Sequence, residues 1–151
     1  MITKDLVFHK IKFNNQDELF DYFSDDLEKK GIVKSGFATA LKAREAEFPT
    51  GLPVPNGVAI PHTDGSLVLK DRIIFATLEN AIQFNEMGGD AADKIDVQVV
   101  IMLAIAGGQK HLDTLQKLIL AIQNQTFISD MLASTNQEAM LAIVEKELMS
   151  L

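Results

Sequence analysis

The run VQVVIMLAIA, residues 97–106, constrains the fold more than any other stretch of this chain. A strand with one face in water alternates apolar and polar positions, whereas an unbroken run rich in β-branched residues belongs to a strand covered on both faces. From Val99 to Ala106 the residues are all apolar, but their number, eight, is far short of the ~20 needed to cross a bilayer. The run therefore predicts a central strand from Val97 to Ile105. Two layers must cover it, and the rest of the chain has to supply them.

Periodicity on either side supplies them. Leu6 to Phe13 alternates loosely and reads as a short strand or extended arm. Asn14 or Asn15 can cap a helix running to about Lys30, with Gly31 as its stop and Leu19, Phe20, Phe23 and Leu27 as its apolar face. A second helix begins at Ser35 or Gly36 and reaches Phe48, where Pro49 blocks it. Its stripe is Phe37, Leu41, Arg44 and Phe48, on one helical face. All four prolines lie between positions 49 and 61, and they stiffen the loop that delivers the chain into a strand at Val58. A strand over 73–79 follows, with a hairpin-like return through Ile82, Gln83 and Phe84 and a polar loop at residues 86–90.

The last third reads as helical. His111, Leu115, Leu118 and Ile122 form one stripe, widened by Leu112 and Ile119. A short helix near residues 127–132 comes next. Thr135 and Glu138 then have capping-box spacing and open a helix using Met140, Leu141, Val144 and Leu148. The expected order is β-α-α-β-β-β-α-α-α: an α/β fold, a three-layer α/β/α sandwich around a mixed sheet. With no repeat or linker, residues 1–151 are expected to form a single domain.

Composition narrows the function classes. Cysteine is absent, which excludes a disulfide, a thiolate metal site and a cysteine nucleophile within this sequence. A formal charge of -7 argues against nucleic acid as a partner, because phosphate backbones attract clustered Lys and Arg. The N-terminal residues lack the sustained apolar run of a signal peptide. A cytoplasmic protein without membrane insertion is expected.

Three side chains stand out as candidates for chemistry. In GVAIPHTDG, residues 57–65, Pro61 ends a short apolar strand and His62 follows it directly. Strand ends of open α/β sheets collect functional residues, although a solvated loop histidine fits the same pattern. His111 sits near a helix start, after Gly107-Gly108-Gln109-Lys110. Free N–H groups and the positive end of the helix dipole favour an anion such as phosphate there, and an imidazole can donate a hydrogen bond to it. The alternative is a histidine that only packs or caps.

Arg44 interrupts an otherwise hydrophobic stripe. Either its stem packs while its head snorkels to water, or its planar fork faces an anion. His9 has no companion motif and reads as structural. A metal site built from His62, Asp64 and His111 is a further alternative, opposed by the missing H-E-x-x-H pattern and by the charge of Arg44. No Walker A loop, G-x-G-x-x-G or G-x-S-x-G motif occurs. Two histidines and an arginine at element ends thus point to an anion site without specifying a reaction.

At these residues the sequence resembles a known family. REAEFPTGLPVPNGVAIPHTD, residues 44–64, is similar to the signature of enzyme IIA domains of the bacterial phosphotransferase system, mannitol/fructose class. KHLDTLQKLI, residues 110–119, resembles the second histidine segment of that family, and the likeness spans essentially the whole chain. The loop Met87-Gly88-Gly89-Asp90 and the triplet His62-Thr63-Asp64 most resemble the galactitol-type branch. One departure concerns the position before Val68, where galactitol-type members often carry a further histidine and this chain has Leu67.

The resemblance implies roles for the three candidates. His62 matches the phosphoryl acceptor, His111 the second histidine that supports it, and Arg44 the arginine that neutralises phosphate charge. It implies a relay in which His62 takes a phosphoryl group from the carrier HPr through Nε2, its other ring nitrogen held by a backbone carbonyl. The group then passes to a cysteine of a IIB component, for sugar uptake by a membrane IIC permease. No cofactor and no metal are implied, and a free-standing IIA component is expected. A regulatory phosphoprotein of the same fold, acting on a bound protein, is the alternative, and a metal-dependent hydrolase is more remote. Val54, Val58, Leu67 and Phe84 are candidates for a shallow apolar docking rim around His62, with a place in the core as the alternative for each.

Overall fold

A computed structural model describes residues 1–149 and 151. Its sheet contains five strands in the order β1-β4-β5-β3-β2. They are β1 (Val7–Ile11), β2 (Gly51–Leu52), β3 (Val58–Ala59), β4 (Arg72–Asn85) and β5 (Lys94–Ala104). The helices are α1 (Gln16–Lys29), α2 (Phe37–Glu47), α3 (Gly108–Ile122), α4 (Gln125–Ala133) and α5 (Gln137–Glu147). β4 runs parallel to β1 and antiparallel to β5, while β3 is parallel to β5 and antiparallel to β2. The sheet is mixed, as expected.

The continuous apolar run is the middle of β5, and its side chains serve two cores by alternation. Val100, Met102 and Ala104 face a core shared with Leu19, Phe20, Phe23 and Leu27 of α1 and Phe37 and Leu41 of α2. Val99, Ile101 and Leu103 face the other core, with Leu118 and Ile122 of α3, Phe127 and Met131 of α4, and Met140 and Val144 of α5. A period of two along a strand sends successive side chains to opposite faces, so a strand buried on both must be apolar throughout. This is the three-layer α/β/α arrangement.

Helix starts follow their caps. The Asn15 side chain accepts from the Glu18 N–H at 2.8 Å and sets the start of α1. For α5 the cap is Asn136, which accepts from the Ala139 N–H at 2.8 Å, rather than Thr135. The expected box partner, Glu138, turns away to pair with Lys4 at 3.0 Å.

Several expectations are corrected. The proline loop contains one more strand, β2, so the order is β-α-α-β-β-β-β-α-α-α. Ile82 to Phe84 is not a hairpin return but the continuation of β4, whose register on β5 shifts between Thr77 and Ile82. The reversal comes later, between β4 and β5. On α2 the buried stripe is Phe37, Leu41 and Glu45, while Arg44 and Phe48 lie exposed. On α3 Thr114 is buried and Leu112 is half exposed.

Candidate functional site

His62 follows the buried segment Val58, Ala59 and Ile60. Pro61 has no N–H to extend the ladder, yet its carbonyl still accepts from the Leu103 N–H at 3.1 Å. The chain therefore stays pinned to β5 up to the residue before the histidine. The next turn is pressed against the end of β5. Gly65 adopts φ 92°, and a Cβ there would come within 2.5 Å of the Ile105 carbonyl oxygen, so only glycine fits.

The His62 ring is fixed by its own strand. Nδ1 lies 2.7 Å from the Ile60 carbonyl oxygen. A carbonyl can only accept, so Nδ1 carries the hydrogen and Nε2 keeps its lone pair in the neutral ring. Burial holds the imidazole below its ordinary pKa, and the electrostatic influence of His111 and Arg44 adds to this. The Ile60 hydrogen bond works in the opposite sense. The result is an uncharged, oriented nitrogen nucleophile.

His111 stands across from it, with ring centroids 5.4 Å apart and planes at 60°. It lies in the first turns of α3, whose cap residue Gly107 has no side chain to occupy the free N–H groups. Asp71, just before β4, anchors this end of the helix. One oxygen accepts from the Ala106 N–H at 2.9 Å, and the other pairs with Lys110 at 2.8 Å. Nδ1 of His111 is buried and without a hydrogen-bond partner among the described residues. An orphaned buried N–H is rarer than an orphaned lone pair, so the hydrogen of a neutral ring belongs on Nε2.

Arg44 comes from the last turn of α2, its guanidinium carbon 4.5 Å from the centroid of the Phe48 ring. Its charge contributes to holding both His62 and Asp64 below their ordinary pKa values. For the exposed Asp64 carboxylate the main cause is hydrogen bonding from Ser66, whose N–H donates at 2.9 Å.

A chain of hydrogen bonds ties this helix end to His62. The buried Glu45 carboxylate accepts from the Thr50 N–H and the Thr50 hydroxyl, both at 2.7 Å. The Thr50 carbonyl accepts from the Ile60 N–H at 3.3 Å, and the Ile60 carbonyl holds His62. Sequence reasoning missed Glu45, Thr50 and Asp71. The one available signal was Glu45 at the i+4 position from Leu41 on the buried face.

All three candidates lie at element ends around one position, His62 against His111 with Arg44 influencing both His62 and Asp64. Of the four residues considered for a docking rim, two are too buried to take part. Leu67 and Val54 are partly exposed, but Val58 and Phe84 are core residues. Phe48 and Leu112 keep 52% and 48% of their surface accessible. His9 is remote in role, with Nε2 lying 2.6 Å from the Ser134 carbonyl and joining β1 to the end of α4. Among the described residues no group of three or more His, Cys, Asp or Glu side chains is placed to hold a metal ion.

The family model described as phosphoenolpyruvate-dependent sugar phosphotransferase system, EIIA 2, matches residues 1–147. The chain belongs to this family of phosphoryl-carrying IIA components. Among relatives of this EIIA family member, the galactitol-specific EIIA component of Escherichia coli strain K12 is 28% identical over 123 residues, covering 81% of each chain. Its fold matches enzyme IIAMTL of Escherichia coli, solved in complex with phosphorylated enzyme IIBMTL. The TM-score is 0.78 at 20% identity, over 97% of this chain and 99% of that one. It equally matches the nitrogen regulatory protein IIA-Ntr of Neisseria meningitidis, with a TM-score of 0.79 at 21% identity and 95% of both chains covered.

Proposed function

We propose that this EIIA family member, acting as one domain, accepts a phosphoryl group from phospho-HPr on Nε2 of His62 and passes it to a cysteine of a IIB component. The observation that carries this reading is the His62 bond to Ile60, which commits Nδ1 as a donor and leaves Nε2 free beside His111.

In the first step the Nε2 lone pair attacks the phosphorus of phosphohistidine on HPr. The new N–P bond forms as the old one breaks, and the released pair returns to the HPr imidazole. Throughout, the Nδ1–H of His62 stays on the Ile60 carbonyl, which shares the positive charge the ring acquires. The transferring group spreads negative charge over its oxygens, so catalysis consists mainly of positioning and charge stabilisation. Arg44 supplies the positive charge, His111 donates from Nε2–H, and the start of α3, which no side chain caps, adds the positive end of its helix dipole. In the second step a IIB thiolate attacks phosphorus, an S–P bond forms, and the N–P pair returns to Nε2.

The galactitol-specific relative supports a galactitol-type polyol as the transported substrate, and a IIB partner is supported by the IIAMTL–IIBMTL complex. We place the relay in the cytoplasm, with a membrane IIC permease as its final beneficiary.

Incubation with phosphoenolpyruvate, enzyme I and HPr, followed by intact-mass measurement, tests the reading. One acid-labile, base-stable phosphoryl group is expected on the wild type and none on His62→Ala. Normal labelling of His62→Ala would overturn it.

A further inference from the structure

Phe48 is an aromatic residue left exposed at the C-terminal cap of α2. It sits outside both hydrophobic cores and keeps 52% of its surface accessible, although it caps a helix whose other large apolar residues are buried. Its single aromatic or charged contact of note among the described residues is Arg44, whose guanidinium carbon lies 4.5 Å above its ring. Arg44 in turn has no carboxylate within ion-pair distance and no side-chain hydrogen bond to a described residue.

The local chain explains how the pair forms. Pro49 pushes the residue before it out of helical geometry, and Phe48 adopts φ -130° and ψ 84° while its N–H still donates to the Arg44 carbonyl at 2.7 Å. The two residues are four apart, a spacing that brings side chains together on a helix. An aromatic face offers no lone pair to a guanidinium. Contact with the ring therefore holds the arginine while leaving its N–H donors uncommitted. A carboxylate partner would hold the arginine equally well but would compete with phosphate.

We propose that Phe48 is the positioning residue for Arg44, a platform that keeps the guanidinium oriented and unpaired so that it can receive the oxygens of the transferring phosphoryl group. This rests on the phosphoryl-acceptor reading of the site. Without the ring, an exposed arginine has a freely moving head, and the transition state must order it. The cost is that of an exposed cation–π contact, about two- to five-fold in rate.

The test has two arms. In the NMR spectrum of the unphosphorylated protein, the side-chain protons of Arg44 should be shifted upfield by the ring current, and Phe48→Leu should abolish the shift. In rapid-quench transfer from phospho-HPr, Phe48→Leu should lower the rate at saturating donor by about two- to five-fold, and Phe48→Tyr should restore it. In an Arg44→Ala background Phe48→Leu should have no further effect. An Arg44 spectrum without the ring-current shift overturns the proposal. So does a Phe48→Leu loss that persists undiminished in the Arg44→Ala background, or one confined to KM, since either makes Phe48 a docking contact. These outcomes differ from failure of the acceptor reading, in which His62→Ala is still labelled whatever Phe48 does.

Discussion

Removing the Thr50 hydroxyl should cost more stability than its size suggests, because it strands half of a buried carboxylate. Glu45 is 5% and Thr50 2% exposed, and Oε1 and Oε2 of Glu45 each accept one 2.7 Å hydrogen bond from Thr50. A hydrogen bond to a charged group contributes about 1.5–3 kcal/mol, so Thr50→Val, which preserves shape and the backbone N–H, should destabilise by that amount. Glu45→Ala strands both the N–H and the hydroxyl at about 1–3 kcal/mol each, for a loss of about 2–6 kcal/mol. Glu45→Gln keeps an acceptor for one donor and an amide for the hydroxyl to bond, and removes a buried charge. It should stay within about 1 kcal/mol of the wild type. Urea unfolding at pH 7 with unchanged m-values measures all three. In the double variant the losses should not add, since the two changes remove the same bond. The pH dependence has a definite sign. Burial raises the Glu45 pKa against the pull of the Thr50 bonds, so the folded chain holds this proton more tightly than the unfolded one. The associated stability is complete below the unfolded pKa and is lost as pH rises through the folded one, a slope that Glu45→Gln should lack. A Thr50→Val protein as stable as the wild type, or strictly additive losses, would refute the argument.

Two further predictions concern the histidines. His111→Ala should still accept a phosphoryl group from phospho-HPr but pass it to IIB slowly in a single-turnover assay, whereas complete loss of labelling would assign His111 to the first step. Because burial depresses the His62 pKa, the unfolded chain binds a proton that the native ring resists. Stability should therefore decline as pH falls below about 6.5, and a urea titration comparing the wild type with His62→Asn should find that part of the decline missing in the variant.

The parts of the fold legible in the sequence were those written in local chemistry. The Asn14-Asn15 pair announced the start of α1, and Asn15 caps it because its side chain reaches an N–H only three residues away, while β5 declared itself because both its faces are buried. Features set by distant partners were not legible. The buried Glu45 has its donors in a loop beyond Pro49, so the helix face that looked like Phe37, Leu41, Arg44 and Phe48 is rotated to Phe37, Leu41 and Glu45. The return expected through Ile82 to Phe84 is instead β4 running on past Asn80 with a register shift, where the Asn80 side chain donates to the Phe13 carbonyl at 3.3 Å. The site was legible as three residues at element ends, though not as a geometry. The 5.4 Å approach of His62 and His111 depends on β3 pairing with β5, the strand that leads into α3, and on Asp71 holding the start of α3.

The central claim is that phosphoryl transfer uses Nε2 of His62 while Nδ1 keeps its hydrogen on Ile60. Long-range 1H–15N correlation of the imidazole rings in phosphorylated protein, read together with 15N–31P coupling, reports both nitrogens at once. The account predicts phosphorus coupled to Nε2 of His62, a protonated Nδ1 in the same ring, and no coupling on His9 or His111. Phosphorus on Nδ1 of His62, or on either of the other two histidines, would contradict it.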